Sequence, residues 1–264
     1  MQKVFEELTK AFRKNDGVLN EEQYKHIVTK HTTLLEDSET IFILLQASGY
    51  PITQVHDEHY RLETCFTSHE EQRYCVIDIE TNGSKPGTSQ VIEIGALMLE
   101  NGEVIDRFET FVECAFLPEY ITKITGIEHT DLIGAPTRRE ALIALRHFMG
   151  DAVFVAHNAN FDYGFLNASF DRFGLGHIGN PKLCTIDLAR RTFESERYGL
   201  AHLIDFLEIE TATHHRAFSD AVCAAKVMEK SLETLPEYVK SADELLRFSI
   251  SSKKERRVKK EKQS

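Results

Sequence analysis

The run Tyr74–Glu80 constrains this chain more than any other stretch of its length. Its side chains alternate, with Cys75, Ile77 and Ile79 on one face and Val76, Asp78 and Glu80 on the other, the period of a β-strand. Two carboxylates two residues apart on a strand project from the same side. Such neighbours repel, and each resists ionisation unless a positive charge neutralises it. Taken alone, the pair is either the solvated face of an edge strand or a seat for a bound cation, and both readings stand.

The segments that follow predict an α/β domain over residues 73–235. After the turn-rich string NGSKPGTS, Val91–Leu99 reads as a buried strand, and Asn101-Gly102 is a hairpin turn leading into a partner strand at Glu103–Glu113. Thr137-Arg138-Arg139-Glu140 has the pattern of a capping box, opening a helix that runs to about Met149. Ala152–Ala156 is a short apolar strand with a helix near Asn160–Phe173 behind it. Leu183–Thr185 is a candidate last strand, with helices near 186–194, 199–207 and 217–231. Three meandering strands followed by alternating helices and strands imply a mixed sheet with helices on its faces.

Upstream, residues 1–72 form a candidate small domain. Val4, Phe5, Leu8 and Phe12 share a helical face, Ile41–Ala47 is an apolar helix, and Ile52–Val55 with Tyr60–Glu63 flank a turn at His56–His59. Helices followed by such a hairpin resemble a winged helix, and Gly49-Tyr50-Pro51-Ile52 with Tyr60-Arg61-Leu62 is similar to the wing of one bacterial winged-helix family. DNA binding and an acidic docking role both remain open for it. Residues 65–72 read as a polar linker, and 236–264 as a helix end with a Lys/Arg-rich tail.

Charge bears on the choice of partner. The chain carries −11 overall, but its distribution is uneven: residues 1–72 carry 7 basic and 13 acidic side chains, and the tail 253–264 carries 7 and 2. An acidic body can still act on phosphodiesters if divalent cations sit between its carboxylates and the substrate. Five cysteines are scattered without a CxxC pair, so reduced thiols are expected rather than disulfides or a zinc ribbon. No stretch approaches the roughly 18–20 apolar residues of a membrane span. The first residues carry acids early, unlike a signal peptide, and a cytoplasmic protein is the expectation.

Two further acidic elements accompany Asp78 and Glu80. His157-Asn158-Ala159-Asn160-Phe161-Asp162 follows the strand 152–156, where polar residues line the ligand crevice of open α/β sheets. Asp162 there is either a site residue or an acid favoured by the helix dipole. His215-Arg216-Ala217-Phe218-Ser219-Asp220 leads into a helix with Ala221, Ala224, Ala225 and Met228 on its apolar face. Five steps of about 100° place His215 and Asp220 on different faces, so the histidine belongs to the loop or first turn while the helix holds Asp220. That division suits a mobile base beside a fixed metal ligand.

In this order, Asp-x-Glu, Asn-x-x-Phe-Asp and His-x-x-x-x-Asp resemble the DEDDh exonuclease family over about residues 74–230. The strings VIDIETNG, VIEIGALML, ITGI, HNANFD, CTIDLARR and HRAFSDA are most similar to those of the proofreading (epsilon) subunit of bacterial replicative DNA polymerases. The resemblance implies a ribonuclease H-like fold with a mixed five-stranded sheet and a 3′→5′ exonuclease that releases nucleoside 5′-monophosphates. It implies two Mg²⁺ or Mn²⁺ ions about 3.5–4 Å apart. Asp78 would bridge them, Glu80 and Asp220 would serve the nucleophile-side ion, Asp162 the other, and His215 would be the base, with His214 as its control. Thr81, Ile127, His157, Asn158 and Phe161 would contact the terminal nucleotide. Single-stranded or frayed 3′ DNA ends are the implied substrate, with RNase T-like trimming of RNA and a non-catalytic DNA-binding scaffold as alternatives. A polymerase catalytic subunit or a sliding clamp is an implied partner, although the epsilon subunit has nothing like residues 1–72. Leu245-Leu246-Arg247-Phe248 resembles a sliding-clamp peptide without its leading Gln, or is an ordinary amphipathic helix end.

Overall fold

The computed structural model describes residues 1–31, 37–55, 58–210 and 216–252. The chain opens with α1 (Gln2–Lys14), β1 (Val18–Asn20), α2 (Glu21–Thr29), α3 (Ser38–Ala47), β2 (Ile52–Val55) and β3 (His59–Leu62). Val4, Phe5, Leu8 and Phe12 are the buried stripe of α1, as their spacing predicts. The three strands pair antiparallel in the order β1-β3-β2 around a core that stacks Tyr24 on Tyr60 at 4.0 Å. The hairpin is therefore present and gains a third strand, β1, that the sequence reading does not contain. Only three residues long, β1 gives too short a pattern to show a period. The hairpin's turn at His56 and Asp57 lies outside the described residues.

The supposed linker is not free. His69 donates its amide to Lys240, Ala242 donates to Thr67, and Ser68 bridges Ser241, so residues 67–69 are stitched to the C-terminal part of the chain. The small domain also docks directly: Arg13 pairs with the buried Asp243 at 2.8 Å, and Gly179 donates its amide to Ser48. Gly49 sits at φ +82° where an added Cβ would lie 2.2 Å from Asn180 Oδ1, so only glycine allows this approach.

The larger domain comprises β4 (Tyr74–Thr81), β5 (Val91–Glu100), β6 (Glu103–Phe111), α4 (Glu119–Thr125), α5 (His129–Leu132), α6 (Arg138–Met149), β7 (Val153–Ala156), α7 (Ala159–Arg172), β8 (Lys182–Cys184), α8 (Thr185–Thr192), α9 (Leu200–Phe206), α10 (Ala217–Leu232) and α11 (Ala242–Ser249). Its sheet has the order β6-β5-β4-β7-β8, antiparallel through β4 and parallel from β4 to β8. This is the mixed five-stranded sheet expected. The alternation of β4 divides the interior. Cys75, Ile77 and Ile79 face a core built with α6 and α7, while Tyr74 and Val76 face a second core built with α8, α10 and α11. The capping box at Thr137 and Glu140 is formed as the sequence predicts. The short helices α4 and α5 are additions; at seven and four residues they show too few turns for a readable period.

Of the two readings of Leu245–Phe248, the structure agrees with the ordinary helix end. Leu245, Leu246 and Phe248 are buried in the second core, at 0, 7 and 4% exposure. They hold α11 against the sheet and cannot at the same time be offered to a sliding clamp. All five cysteines are free thiols. Among the described residues, no helix is long and apolar enough to cross a membrane.

Candidate active site

The site forms where β4 outruns its parallel neighbour. Pairing with β7 stops at Val76, but β4 continues to Thr81 along β5. Asp78 and Glu80 thus stand on the stretch of strand that only one side covers, on the α10 side of the sheet. Asp220 enters from the first turn of α10, and carboxylate oxygens of Asp78, Glu80 and Asp220 lie within 4.8 Å of one another. Gly95 makes this approach possible. It pairs with Asp78 across β4–β5, and a Cβ built on it would fall 2.1 Å from the amide nitrogen of Phe218. The backbone of α10 therefore rests on the bare strand. A glycine inside a strand marks such a close approach.

Asp162 arrives from the opposite side. It occupies the first turn of α7, is 3% exposed, and accepts hydrogen bonds from its own amide and from that of Ile79. The acceptor bond to Ile79 ties it to the strand between Asp78 and Glu80. Four carboxylates from three elements thereby converge.

Their titration reflects that crowding. Burial, then the charges of Asp162, Asp220, Glu80 and Glu93, hold the Asp78 carboxyl well above the usual carboxylate range. Burial followed by Glu93, Asp220 and Asp162 pushes Glu80 up to about 7. Asp162 rises to about 7, chiefly by burial, with its two backbone hydrogen bonds opposing the rise. Asp78, Glu80 and Asp162 make no ion pair with a lysine or arginine among the described residues. Uncompensated oxygen donors of this kind fit a hard divalent cation.

The other predicted residues fall into distinct settings. Thr81 is buried, with its hydroxyl donated to Gly83 O at 2.9 Å. Asn158 is exposed in the left-handed region at φ +68° and leads into α7. Phe161, 37% exposed, presents its ring beside Phe165. His157 has both ring nitrogens engaged, by Thr185 Oγ1 at 2.8 Å and Tyr198 O at 3.1 Å, and burial pushes it down to about 4. It is a neutral tie between β7, α8 and the Tyr198 segment. Ile127 is enclosed at 1% exposure with Ile92, Cys114, Ile121 and Leu132, so its side chain is part of a core. Its exposed apolar neighbours are Tyr120 and Ile124. His214 and His215 lie outside the described residues, two and one positions before Arg216.

Two residues with a bearing on the site are absent from the sequence reading. Glu93 is wholly buried beside Glu80, its partner across the strands, and Gly95 seats α10. Both had a signal: an acid and a glycine within the otherwise apolar string VIEIGALML.

A family model described as exonuclease (RNase_T) matches residues 75–228, more than half of the chain and the whole span of the four acids. The chain belongs to the exonuclease family. Among curated proteins, this exonuclease is similar to the PolC-type DNA polymerase III of Caldanaerobacter subterraneus subsp. tengcongensis, 38% identical over 178 residues, which cover 66% of this chain and 13% of that protein. A second PolC-type DNA polymerase III, from Halalkalibacterium halodurans, is 37% identical over 63% of this chain and 12% of its own length. The match thus spans only about an eighth of those relatives. Among solved structures, Exonuclease X in complex with 5′ overhanging duplex DNA aligns with a TM-score of 0.53 and 22% identity, over 65% of this chain and 99% of that one. E. coli Exonuclease I in complex with a dT13 oligonucleotide gives 0.55 and 16%, over 62% and 41%. These likenesses establish the shared ribonuclease H-like α/β fold.

Proposed function

We propose that this exonuclease is a metal-dependent 3′→5′ enzyme that hydrolyses the terminal phosphodiester of DNA and releases nucleoside 5′-monophosphates. The observation that carries this reading is the convergence of Asp78, Glu80 and Asp220 within 4.8 Å, with Asp162 tied to the same strand. Asp78, Glu80 and Asp220 would hold one Mg²⁺ or Mn²⁺, and Asp78 with Asp162 a second. Bound there, the ions supply an activated water and offset charge on the attacking and leaving oxygens.

The chain's own residues do the rest. His215, which precedes Asp220 by five residues in the sequence, accepts the proton of the attacking water. Phe161 offers its ring face to the terminal base, which any nucleobase can use. Asn158 and the backbone of Thr81 line the nucleotide's other edge. The similarity to PolC-type DNA polymerases supports proofreading or repair at single-stranded or frayed DNA ends, in partnership with a polymerase.

The test is digestion of 3′-labelled and 5′-labelled single-stranded DNA and RNA with Mg²⁺, run with Asp78→Ala, His215→Ala and His214→Ala. Activity from the 3′ end, abolished by the first two substitutions and retained by the third, is expected. Unchanged activity in Asp78→Ala would sink the mechanism. Loss in His214→Ala equal to that in His215→Ala would sink the assignment of the base. Faster digestion of RNA than DNA would move the substrate assignment to RNA trimming.

A further inference from the structure

A carboxylate with no solvent exposure is costly to bury and needs compensation from every side. Glu93 finds it in one place. Its Oε1 accepts from Arg216 Nε at 2.9 Å and Nη2 at 2.7 Å, and its Oε2 accepts from the amide of Ala217 at 3.1 Å. All three donors belong to the two residues that open α10. That helix has no side-chain cap of its own, since Arg216 at the cap position forms no capping hydrogen bond. Glu93 supplies the missing acceptor from β5 and places a negative charge at the positive end of a sixteen-residue helix. The Arg216 guanidinium is half-exposed and also lies 5.2 Å over the Phe111 ring, so β5 and β6 grip it together.

Glu93 shares the sheet face of Glu80, its register partner. It could be read as a further metal ligand, but both of its oxygens are already committed, and it is not among the carboxylates that lie within 4.8 Å of one another. The bonded groups are instead those that determine where α10 starts. Asp220 follows Ala217 by three residues and His215 precedes Arg216 by one.

We propose that Glu93 and Arg216 are a positioning pair, which seats the start of α10 on β5 and thereby sets Asp220 against Asp78. The role rests on the nuclease reading of this site. A pair that only stabilised the fold would alter melting and nothing else. A positioning pair also governs how tightly the carboxylates hold a cation and how fast the bond is cut.

The experiment compares wild type with Glu93→Gln, Arg216→Gln and Arg216→Lys. Mn²⁺ binding is followed by isothermal titration calorimetry, and kcat and KM are measured on a single-stranded oligonucleotide. Loss of a group that orients metal ligands lowers metal affinity by about 10–100-fold. That loss is expected for Arg216→Gln and Glu93→Gln, with a fall in kcat and a KM within about twofold of wild type. Arg216→Lys keeps the charge but not the planar fork, and should fall between. Wild-type Mn²⁺ affinity and kcat in folded Arg216→Gln and Glu93→Gln proteins, or a lowered melting temperature with unaltered Mn²⁺ affinity, overturn the proposal. If Glu93→Gln does not fold, the two substitutions at the half-exposed Arg216 decide on the same readouts. Weakened Mn²⁺ binding in the variants of a protein that cuts no DNA or RNA would leave the pair standing and remove the nuclease reading instead.

Discussion

Replacing Gly95 by alanine adds one methyl group at the point where α10 touches the sheet. The added carbon would lie 2.1 Å from Phe218 N and 2.3 Å from both Ala217 C and Phe218 Cα, where ordinary contact begins at 3.4 Å. All three neighbours are backbone, so no side chain can swing away. The helix must retreat by 1.3 Å, the difference between those distances, or tilt to the same effect. Overpacking of this sort costs about 1–3 kcal/mol. The larger consequence is functional, because Asp220 moves with the helix while Asp78, on the neighbouring strand, does not. A misplacement of about 1 Å in a catalytic constellation can cost on the order of 100-fold in rate. Gly95→Ala should therefore remain folded by circular dichroism, melt several degrees lower, and lose about two orders of magnitude in kcat on a labelled oligonucleotide. The same substitution at Gly164, where nothing lies within 4 Å of the added carbon, should leave the rate near that of wild type. If Gly95→Ala matches wild type in both melting and turnover, α10 does not rest on the strand and the account of how Asp220 is placed fails.

Two further outcomes follow from burial. Glu80 and Asp162 titrate near 7 in the folded protein without metal, whereas the unfolded chain ionises them near 4. Between those values the folded state binds more protons, so stability falls as pH rises from about 4 to about 7 and stays low above it. Scanning calorimetry in EDTA should show this decline. Mg²⁺ at about 100 times its Kd should raise the melting temperature by roughly 5–10 °C above pH 7 and by less at pH 5. A flat profile in EDTA, or an equal Mg²⁺ shift at both pH values, would contradict it. Phe248→Ala removes a buried ring packed edge-on to Tyr238 and should cost about 3–5 kcal/mol, read as a large drop in denaturant midpoint. An unchanged midpoint would mean that α11 is not part of the core.

Most of the site was legible because its acids break local rules. Asp78 and Glu80 interrupt an apolar face, and the period of two alone puts them side by side. Asp220 belongs to a helix by the apolar period that follows it, and it stands in the first turn of α10. The tertiary partners were harder to read. That Asp162 reaches the Ile79 amide depends on β4 losing its pairing with β7 after Val76, a length no local pattern specifies. Ile127 illustrates the reverse difficulty. An isoleucine near a loop can face substrate or core equally well, and here Ile92 and Leu132 enclose it. His157 is similar: its position at a strand end suited the crevice, yet Thr185 and Tyr198 claim both nitrogens. Leu246 and Phe248 admit two readings because amphipathic helix ends and docking motifs share a spacing; their burial agrees with the helix end.

The net charge of −11 now has a location as well as a size. The helix in the position to read DNA in a winged-helix arrangement is α3, and residues 38–47 contain no lysine or arginine. Its solvent side presents Glu39, Thr40, Ile43 and Leu44, the last two 58 and 41% exposed. Cationic contacts to phosphate supply essentially all sequence-independent affinity for nucleic acid, and α3 carries no lysine or arginine to make them. Nor can the carboxylate cluster attract a polyanion before a cation is bound. On the proposed nuclease reading, attraction to the substrate would come first from metal in the site and from basic side chains elsewhere on the nuclease domain. On that reading, substrate affinity should itself depend on the divalent ion, and Asp78→Ala should weaken oligonucleotide binding as well as turnover.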